Sequence, residues 1–334
     1  MGVKLLRKLQ LGLESPAGTP NLTSTVQMRM ENGVIDDQRT LNFVPEDVGY
    51  LSSVDRTVTP KLLAAVNLDG AATYEQLPYL FEMGVKHATP AKDGTGSQTG
   101  YIRDYSLPTT APNTLSTYTV KGGNDTQAEY MEYAFCDNLE LSGKSGETMQ
   151  MKAQLFGRQV TKGTFTSLAN QSVSDILFQN GKLYIDLIGS TLGTTQVSNT
   201  LLGMDLKLKS GWIPRFTADG NKYFSFVECP GPIALSVDFT FEHTSGVVAY
   251  KDAWIAETAK NIQIAFSGPA VAVAGVVYTY KSLIINMAGK FSKFAPLGND
   301  SGVDTYVATF EAKYDPTSAT FANFIVVNEL AALA

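Results

Sequence analysis

Apolar and polar residues alternate along much of the chain with a period of two. The alternation is clear in the segments 25–30, 204–208, 235–241 and 303–312. A period of two places apolar side chains on one face of a strand and polar ones on the other, as in a half-buried antiparallel sheet. The Lys144-Ser145-Gly146 turn separates two further extended segments, 138–142 and 149–155, and predicts a β-hairpin.

Two segments show helical spacing instead. A first helix is predicted at Tyr74–Met83, opened by a capping box at Thr73 and kept short by Pro78. A second helix is predicted at Ala249–Asn261, with a strand at 262–266 directly after it. Short strands with one helix in each half of the chain predict a mainly β fold, in which sandwich or barrel domains are each covered on one side by a helix.

The two halves of the chain follow the same order of elements. A Gly-Thr turn, at Gly18-Thr19 and again at Gly193-Thr194, leads into an alternating strand. A proline, Pro60 or Pro232, then opens another strand, and a predicted helix follows. Repetition of a whole series of elements indicates an internal duplication.

Length also favours two domains. The chain has 334 residues, and a single hydrophobic core rarely grows beyond about 250–300 residues. We predict a first β domain at 1–165, a linker at 166–180 rich in small polar residues, and a second β domain at 181–334.

Composition limits the classes of function. Hydrophobic residues make up 44% of the chain and charged residues 17%, with a net charge of −6, which excludes global disorder and argues against a nucleic-acid binder. The basic residues Lys4, Arg7 and Lys8 are expected to be solvated. The two cysteines, Cys136 and Cys229, are expected to be buried free thiols, because a secreted disulfide scaffold would carry more.

The sequence predicts neither export nor membrane insertion. The first thirteen residues carry charges every few positions, unlike a signal peptide. The most apolar run, Ala270–Val277, is far shorter than the ~20 residues of a membrane span. We therefore expect synthesis in the cytoplasm and no membrane association. Four glycosylation sequons are expected to stay unmodified, at Asn21, Asn124, Asn170 and Asn299.

Candidate catalytic groups are sparse, and the prediction is that the protein is not an enzyme and uses no metal or cofactor. The two histidines, His87 and His243, lack ligand residues at metal-site spacing and are expected to be ordinary surface histidines. The glycine-rich stretch Asp93–Gly100 precedes an extended segment rather than a helix, so a flexible loop is expected instead of a phosphate site. The segment Gly298–Asp304 is expected to be a turn rather than a calcium loop.

Several short segments, spread over most of the chain, carry a family resemblance. They are Pro45–Leu51, Asp55–Thr57, Thr73–Gly84, Gly181–Asp186, Gly193–Thr195, Phe310–Asp315 and the final strand Ala322–Leu330. These segments resemble the major tail-tube proteins of long-tailed bacteriophages, the siphoviruses. The resemblance implies tail-tube-like β-sandwich or barrel domains that assemble as stacked rings around a DNA channel. Because single-domain tube proteins are about half as long, it further implies a duplicated, two-domain version.

The function implied by the resemblance is that of a structural virion protein. Such a subunit would self-assemble into homotrimeric, pseudo-hexameric rings, which stack into the tail tube that conducts DNA during ejection. Its implied partners are other copies of itself, the tape-measure protein, the tail terminator and tip proteins, and DNA in passage. An acidic chain without basic stripes fits a channel through which DNA slides.

Three other functions remain open from the sequence. The first is a tube protein of a contractile secretion system, which shares the fold. The second is a carbohydrate-binding or adhesive β-sandwich module, and the third is a β-sandwich glycosidase with paired carboxylates.

Two expectations concern assembly. The polar stretches Gln38–Pro60 and Lys86–Asn113 are expected to be long loops that reach neighbouring subunits. Deleting Thr89–Thr99 is expected to leave a folded subunit that polymerises poorly. The channel is expected to be biased towards Asp and Glu.

Overall fold

The computed structural model of the chain describes residues 3–333. Strands account for 49% of the chain and helices for 8%, and the sheets are antiparallel. The predicted mainly β fold is therefore confirmed.

Within the described residues, the first half contains twelve strands and one α-helix, besides a short 3-10 helix at Lys4–Leu6. They are β1 (Lys8–Leu13), β2 (Val26–Met28), β3 (Ile35–Asp37), β4 (Thr40–Pro45), β5 (Val54–Lys61), β6 (Ala64–Ala71), α1 (Leu77–Gly84), β7 (Ala91–Lys92), β8 (Tyr101–Ser106), β9 (Tyr118–Gly123), β10 (Ala128–Lys144), β11 (Gln150–Gly157) and β12 (Val160–Gly163).

Up to residue 333, the second half contains eleven strands and one α-helix, and a short 3-10 helix at Phe178–Asn180 precedes them. They are β13 (Gly181–Leu187), β14 (Gln196–Val197), β15 (Leu201–Lys209), β16 (Ile213–Arg215), β17 (Phe226–Glu228), β18 (Ala234–Glu242), α2 (Ser245–Ile255), β19 (Lys260–Ala270), β20 (Tyr280–Phe294), β21 (Gly298–Asp300), β22 (Val303–Ala312) and β23 (Ala322–Asn328).

The strands pair in the same order in both halves. In the first half, two sheets share the long strand β10: β2-β1-β9-β10-β12 and β3-β6-β11-β10. In the second half, β20 is shared in the same way by β14-β13-β19-β20-β23 and β15-β18-β22-β20. Each half also carries a separate hairpin at the corresponding place, β4–β5 and β16–β17. The strand pairing therefore repeats in the two halves. The strand match made from the sequence is wrong, however, because the segment 25–30 contains β2 whereas 204–208 lies in β15, which takes the place of β3.

The two shared strands, β10 and β20, also bend at corresponding places. The pairing of β10 with β11 shifts register between Cys136 and Asn138, and that of β20 with β22 shifts between Phe291 and Lys293. A bulge adds one residue to a strand and increases its bend and twist. The bend lets one strand contribute to two sheets.

Two strand pairings cross from one half to the other. Residues 138–144 of β10 pair with 203–209 of β15. Residues 101–106 of β8 pair with 323–328 of β23. One hydrophobic core extends through both halves, so the halves are closely joined.

The segment 166–180, predicted to be a linker, lies against the first half. The Gln10 side chain donates from Nε2 to the Thr166 carbonyl at 2.7 Å. The Ser174 backbone N–H donates to Glu75 Oε2 at 2.7 Å. The predicted domain bounds stay a prediction.

The first helix lies in the core and begins at Leu77 rather than Tyr74. All of its residues are buried. The Thr73 hydroxyl accepts the Gln76 N–H at 3.2 Å in the turn before the helix. Pro78 falls in the first helical turn, where a backbone donor has no helical partner, and so is tolerated.

The predicted bounds of the second helix, Ala249–Asn261, are wrong, since α2 begins at Ser245 and ends at Ile255. Glu257 adopts a left-handed conformation with φ of 52°. The Thr258 N–H then donates to the Ala253 carbonyl at 2.8 Å, a Schellman-type helix end.

The alternating segments all correspond to strands. The segment 25–30 contains β2, and the other three coincide with β15, β18 and β22. The predicted hairpin is formed by β10 and β11. The proposed role of Pro60 is wrong, because Pro60 lies inside β5 and the next strand begins at Ala64.

Neither predicted long loop is irregular throughout. Gln38–Pro60 contains β4 and most of β5, and Lys86–Asn113 contains β7 and β8. Their Gly- and Pro-rich composition hid the strands, because β8 is fixed by a partner, β23, that lies far away in sequence. Local pattern carries no information on such long-range pairing.

Candidate assembly surfaces

One face of the sheet β3-β6-β11-β10 and its continuation β15-β18-β22-β20 is polar. A row of cross-strand neighbours traverses it from β6 to β20. The row consists of Asp69, Lys152, Glu140, Lys207, Ser236, Glu311 and Lys290. Opposite charges on neighbouring strands contribute about 0.2–1 kcal/mol per pair. We call this surface the polar face. The row itself holds three carboxylates and three lysines, and Lys207 forms ion pairs with Asp205 and Asp238 on the same face.

Side-chain amides extend the polar face beside that row. Asn138 donates from Nδ2 to Gln154 Oε1 at 2.8 Å. A shallow groove of about 530 Å³ runs past Asp36, Asn67 and Gln154. The surface presents neutral amides and lysines that lie opposite carboxylates. Such a surface can be hydrated without binding a polyanion tightly.

The β4–β5 hairpin is exposed and carries apolar side chains. Within residues 3–333, β4 and β5 pair with each other and with no other strand. Its exposed apolar residues include Leu41, Phe43, Tyr50 and Leu51, with Phe43 63% exposed and Tyr50 73% exposed. Apolar side chains clustered on a protruding element mark a protein-binding surface.

The corresponding hairpin of the second half, β16–β17, rests on the first half. Arg158 donates from Nε to the Phe224 carbonyl at 3.1 Å and from Nη2 to the Ser225 carbonyl at 2.9 Å. Lys61 Nζ lies 4.6 Å from the centre of the Phe216 ring. The two hairpins are therefore alike in position but not in environment.

The two helices differ in the same way. All of α1 is buried, whereas burial in α2 is limited to Val247 within the described part of the chain. Trp212, just after β15, donates from Nε1 to the Gly84 carbonyl at the end of α1 at 3.1 Å. Ile255, at the end of α2, is 67% exposed. The second half thus covers part of α1, whereas α2 packs on the core through Tyr250 and Trp254 and keeps its other side exposed.

The two histidines lie on the surface, as predicted. His87 Nδ1 lies 2.8 Å from both Glu82 Oε2 and Ser116 Oγ. The His243 ring contacts Tyr306 edge-on, with ring centres 5.0 Å apart. The two histidines belong to separate contacts, and the structure does not bring them together with the other candidate residues.

The glycine-rich stretch Asp93–Gly100 ties the halves together. The buried Asp93 carboxylate accepts the backbone N–H of Val277 at 2.9 Å and that of Tyr278 at 2.7 Å. The Thr99 hydroxyl donates to Glu329 at 2.9 Å. These contacts argue against the expectation that deleting Thr89–Thr99 leaves a folded subunit, because groups in this segment bind the second half.

Arg103 is a buried cation that sequence reasoning missed. It donates from Nη1 to Asn328 Oδ1 at 3.0 Å and from Nη2 to the Leu330 carbonyl at 2.6 Å. Burial lowers the pKa of the Arg103 guanidinium. The alternation of β8 could have shown which face Arg103 occupies, but the sequence does not identify its partners on β23.

The remaining candidate segments have structural explanations. Gly298–Asp304 forms the β21–β22 hairpin, in which Ser301 and Gly302 adopt positive φ angles of 54° and 92°. Cys136 is buried and Cys229 is half-buried, and both are free. Within residues 3–333, groups of three or more His, Cys, Asp or Glu side chains placed to hold a metal ion are not found.

Neither helix between residues 3 and 333 has the length and apolar character needed to cross a lipid bilayer. Comparison with the sequence profiles of known protein families gives no match, and no curated protein is similar enough in sequence to count as a relative.

Proposed function

We propose that this chain is the subunit of a self-assembling protein tube of the tail-tube type, and that its role is structural rather than enzymatic. The observation that carries the proposal is the repeated strand pairing of the two halves, joined head to tail through β10 and β15. A closed ring needs contacts of one kind that repeat until they return to the start. A chain with two copies of one unit already contains one such contact.

In this proposal, three chains form a ring of six similar units. Joining two units covalently raises the effective concentration of one for the other, which favours ring closure. The polar face lines the channel, because the opposite face of the sheet is covered by the core and by α1. The channel is then nearly balanced in charge rather than biased towards Asp and Glu.

A balanced polar channel suits a conduit for DNA. A channel lined mainly by Lys and Arg would bind phosphates and retain the DNA. The alternating row across β6, β11, β10 and β15 places its lysines opposite carboxylates on the neighbouring strands instead. DNA could pass while contacting neutral amides and compensated charges.

The resemblance of the short segments extends the proposal to the tail of a long-tailed bacteriophage. The protein would then be made in the host cytoplasm and located in the virion, where the tube conducts DNA during ejection. Its partners would be further copies of the chain, a tape-measure protein, and tail terminator and tip proteins.

Electron microscopy of the purified full-length protein tests the proposal. The expected result is rings or hollow tubes that become more abundant as protein concentration rises. A protein that stays monomeric at every concentration would contradict the proposal. Affinity for oligosaccharides without assembly would indicate an adhesive module, and turnover of a glycoside would indicate an enzyme.

A further inference from the structure

We infer that the end of β20 pairs with β3 of a second copy of this chain, repeating between chains the joint that β10 and β15 make within one. The inference rests on the proposed ring and identifies the surfaces that close it. The partner is chemically a copy of the chain itself, added head to tail.

The internal joint supplies the template. Glu140 of β10 lies opposite Lys207 of β15, on the polar face. On its other side, β15 pairs with β18, where Lys207 lies opposite Ser236. Thus β15 is the edge strand of the second half, and β10 covers that edge.

The first half has the same edge in β3. Asp36 of β3 lies opposite Ala65 of β6, as Lys207 lies opposite Ser236. Val66 and Val237 occupy the same position in the two sheets. Ala65 directly precedes Val66 and Ser236 directly precedes Val237, so Ala65 and Ser236 correspond. Asp36 is therefore the counterpart of Lys207.

The counterpart of Glu140 follows from the shared bulge. Glu140 lies four positions beyond Cys136, the last residue before the bulge in β10. Ala295 lies four positions beyond Phe291, the last residue before the bulge in β20. The template therefore pairs Ala295 of one chain with Asp36 of the next.

Both edges are available for pairing. Among residues 3–333, β3 has β6 as its strand partner, and the pairing of β20 with β19 ends at Gly289. The Ala295 N–H donates to the Val307 carbonyl at 2.9 Å, and the Gln38 N–H donates to the Leu63 carbonyl at 2.8 Å. Both N–H groups thus point away from the free edge, towards the neighbouring strand of their own sheet. Ala295 and Asp36 would then form a non-hydrogen-bonded antiparallel pair, in which side chains approach most closely.

Charge and apolar surface are complementary at the proposed joint. Lys293 lies near the end of β20 and Asp36 lies in β3, while Asp37 is already paired with Arg39 of its own chain. Because Asp36 corresponds to Lys207, Gln38 corresponds to the last residue of β15. Leu41 lies three positions after Gln38, as Trp212 lies three positions after the end of β15, so the two residues correspond. Leu41 is 51% exposed. By analogy with Trp212 on α1, Leu41 would cover the exposed end of α2 in the neighbouring chain.

The joint between chains is expected to be shorter than the internal one. Pro296 directly follows Ala295 and has no backbone N–H to donate. Proline on an edge strand limits how far a second strand can pair along that edge. The contact between chains is therefore weaker than the covalently tied one, which suits a ring assembled from separate chains.

A disulfide trap tests the joint. The full-length chain carries Asp36→Cys and Ala295→Cys in a Cys229→Ser background, with the buried Cys136 retained. Paired β residues of this type bring Cβ atoms about 4.5–5.5 Å apart, close to disulfide geometry. Mild oxidation followed by non-reducing electrophoresis should give dimers and a covalently closed trimer. The matched control places the second cysteine at Glu311, also exposed on the polar face, and should give at least tenfold less product.

Each outcome decides the inference. Cross-linked trimers from the Asp36/Ala295 pair alone support it. Rings or tubes in which that pair fails to cross-link overturn the joint and leave the proposed tube intact. A protein that neither assembles nor cross-links overturns both, and cross-linked rings that never stack support the joint while contradicting the tube.

Discussion

At the residue scale, Asp186 organises a turn in the second half. The residue is 2% exposed. Its Oδ1 accepts the Thr194 hydroxyl at 2.6 Å and the Thr195 N–H at 2.8 Å, and its Oδ2 accepts the Gly193 N–H at 2.9 Å. Burial raises the pKa of Asp186, but the hydrogen bonds from Thr194 and Thr195 outweigh burial and leave the pKa below its usual value.

The lowered pKa predicts a pH-dependent effect of Asp186→Asn. A carboxylate whose pKa is lower in the folded protein than in the unfolded chain, where it is about 4, stabilises the fold at pH values above the unfolded-state pKa. That stabilisation is lost as the pH falls through the pKa of the folded state. We expect the substitution to lower the free energy of unfolding by about 1–3 kcal/mol at neutral pH. Urea titrations should show the difference shrinking as the pH is lowered below about 4. An equal difference at both pH values would contradict this explanation.

Asp93 offers a second test at this scale. Its carboxylate accepts two backbone N–H groups, and an asparagine amide in the same place can accept only through its oxygen. Asp93→Asn should therefore lower the free energy of unfolding by about 1–3 kcal/mol. The control is Asp47→Asn, at an exposed position, which should leave the urea midpoint unchanged. A similar effect of both substitutions would argue against the role given to Asp93.

Residues of this kind are the least predictable from sequence. Asp93 was part of a glycine-rich stretch that predicts a flexible loop, yet its partners, Val277 and Tyr278, lie far along the chain. The same is true of Arg103 and Asn328. A buried polar residue is identified by its partners, and those are brought together only by the completed fold.

At the element scale, the exposed β4–β5 hairpin is the part most suited to contact other subunits. Replacing Phe43 and Leu51 together with serine should leave the fold unchanged, since both side chains are exposed. Assembly should be strongly reduced, because the substitution removes apolar surface that would be buried between subunits. The measurements are thermal unfolding and light scattering. The control is Val276→Ser, at a position that is 76% exposed and lies outside the hairpin. If the Phe43 and Leu51 double variant assembles as efficiently as the unsubstituted chain, the role given to the hairpin is contradicted.

Strands and helices were predictable where a local pattern decides them. Alternation identified β15, β18 and β22, since each buries one face against the core. It did not identify β4 and β5, which face solvent on both sides and so lack the alternation. The position of α1 inside the core was also missed, because its depth is set by β8, β23 and Trp212 rather than by its own sequence.

At the scale of the whole molecule, the repeated strand order links fold to proposed function. The corresponding bulges of β10 and β20 strengthen the repeat, since a bulge is a specific feature of a strand pair. The sequence predicted the repeat from a turn, a strand, a proline and a helix, although Pro60 was assigned wrongly and the strands matched, β2 and β15, are not counterparts. The sequence could not predict that β10 and β15 join the two halves in one sheet, because the register of these strands depends on the fold of both halves.

The measurement that tests the central claim most directly is cryo-electron microscopy of the assembled protein at a resolution that separates strands. The account predicts hollow tubes built of rings with three chains, in which six similar units are related by pseudo-sixfold symmetry. The sheet should continue from β20 of each chain into β3 of the next, and the polar face should line the channel. Rings of six complete chains, or a channel lined by the opposite face of the sheet, would contradict the account.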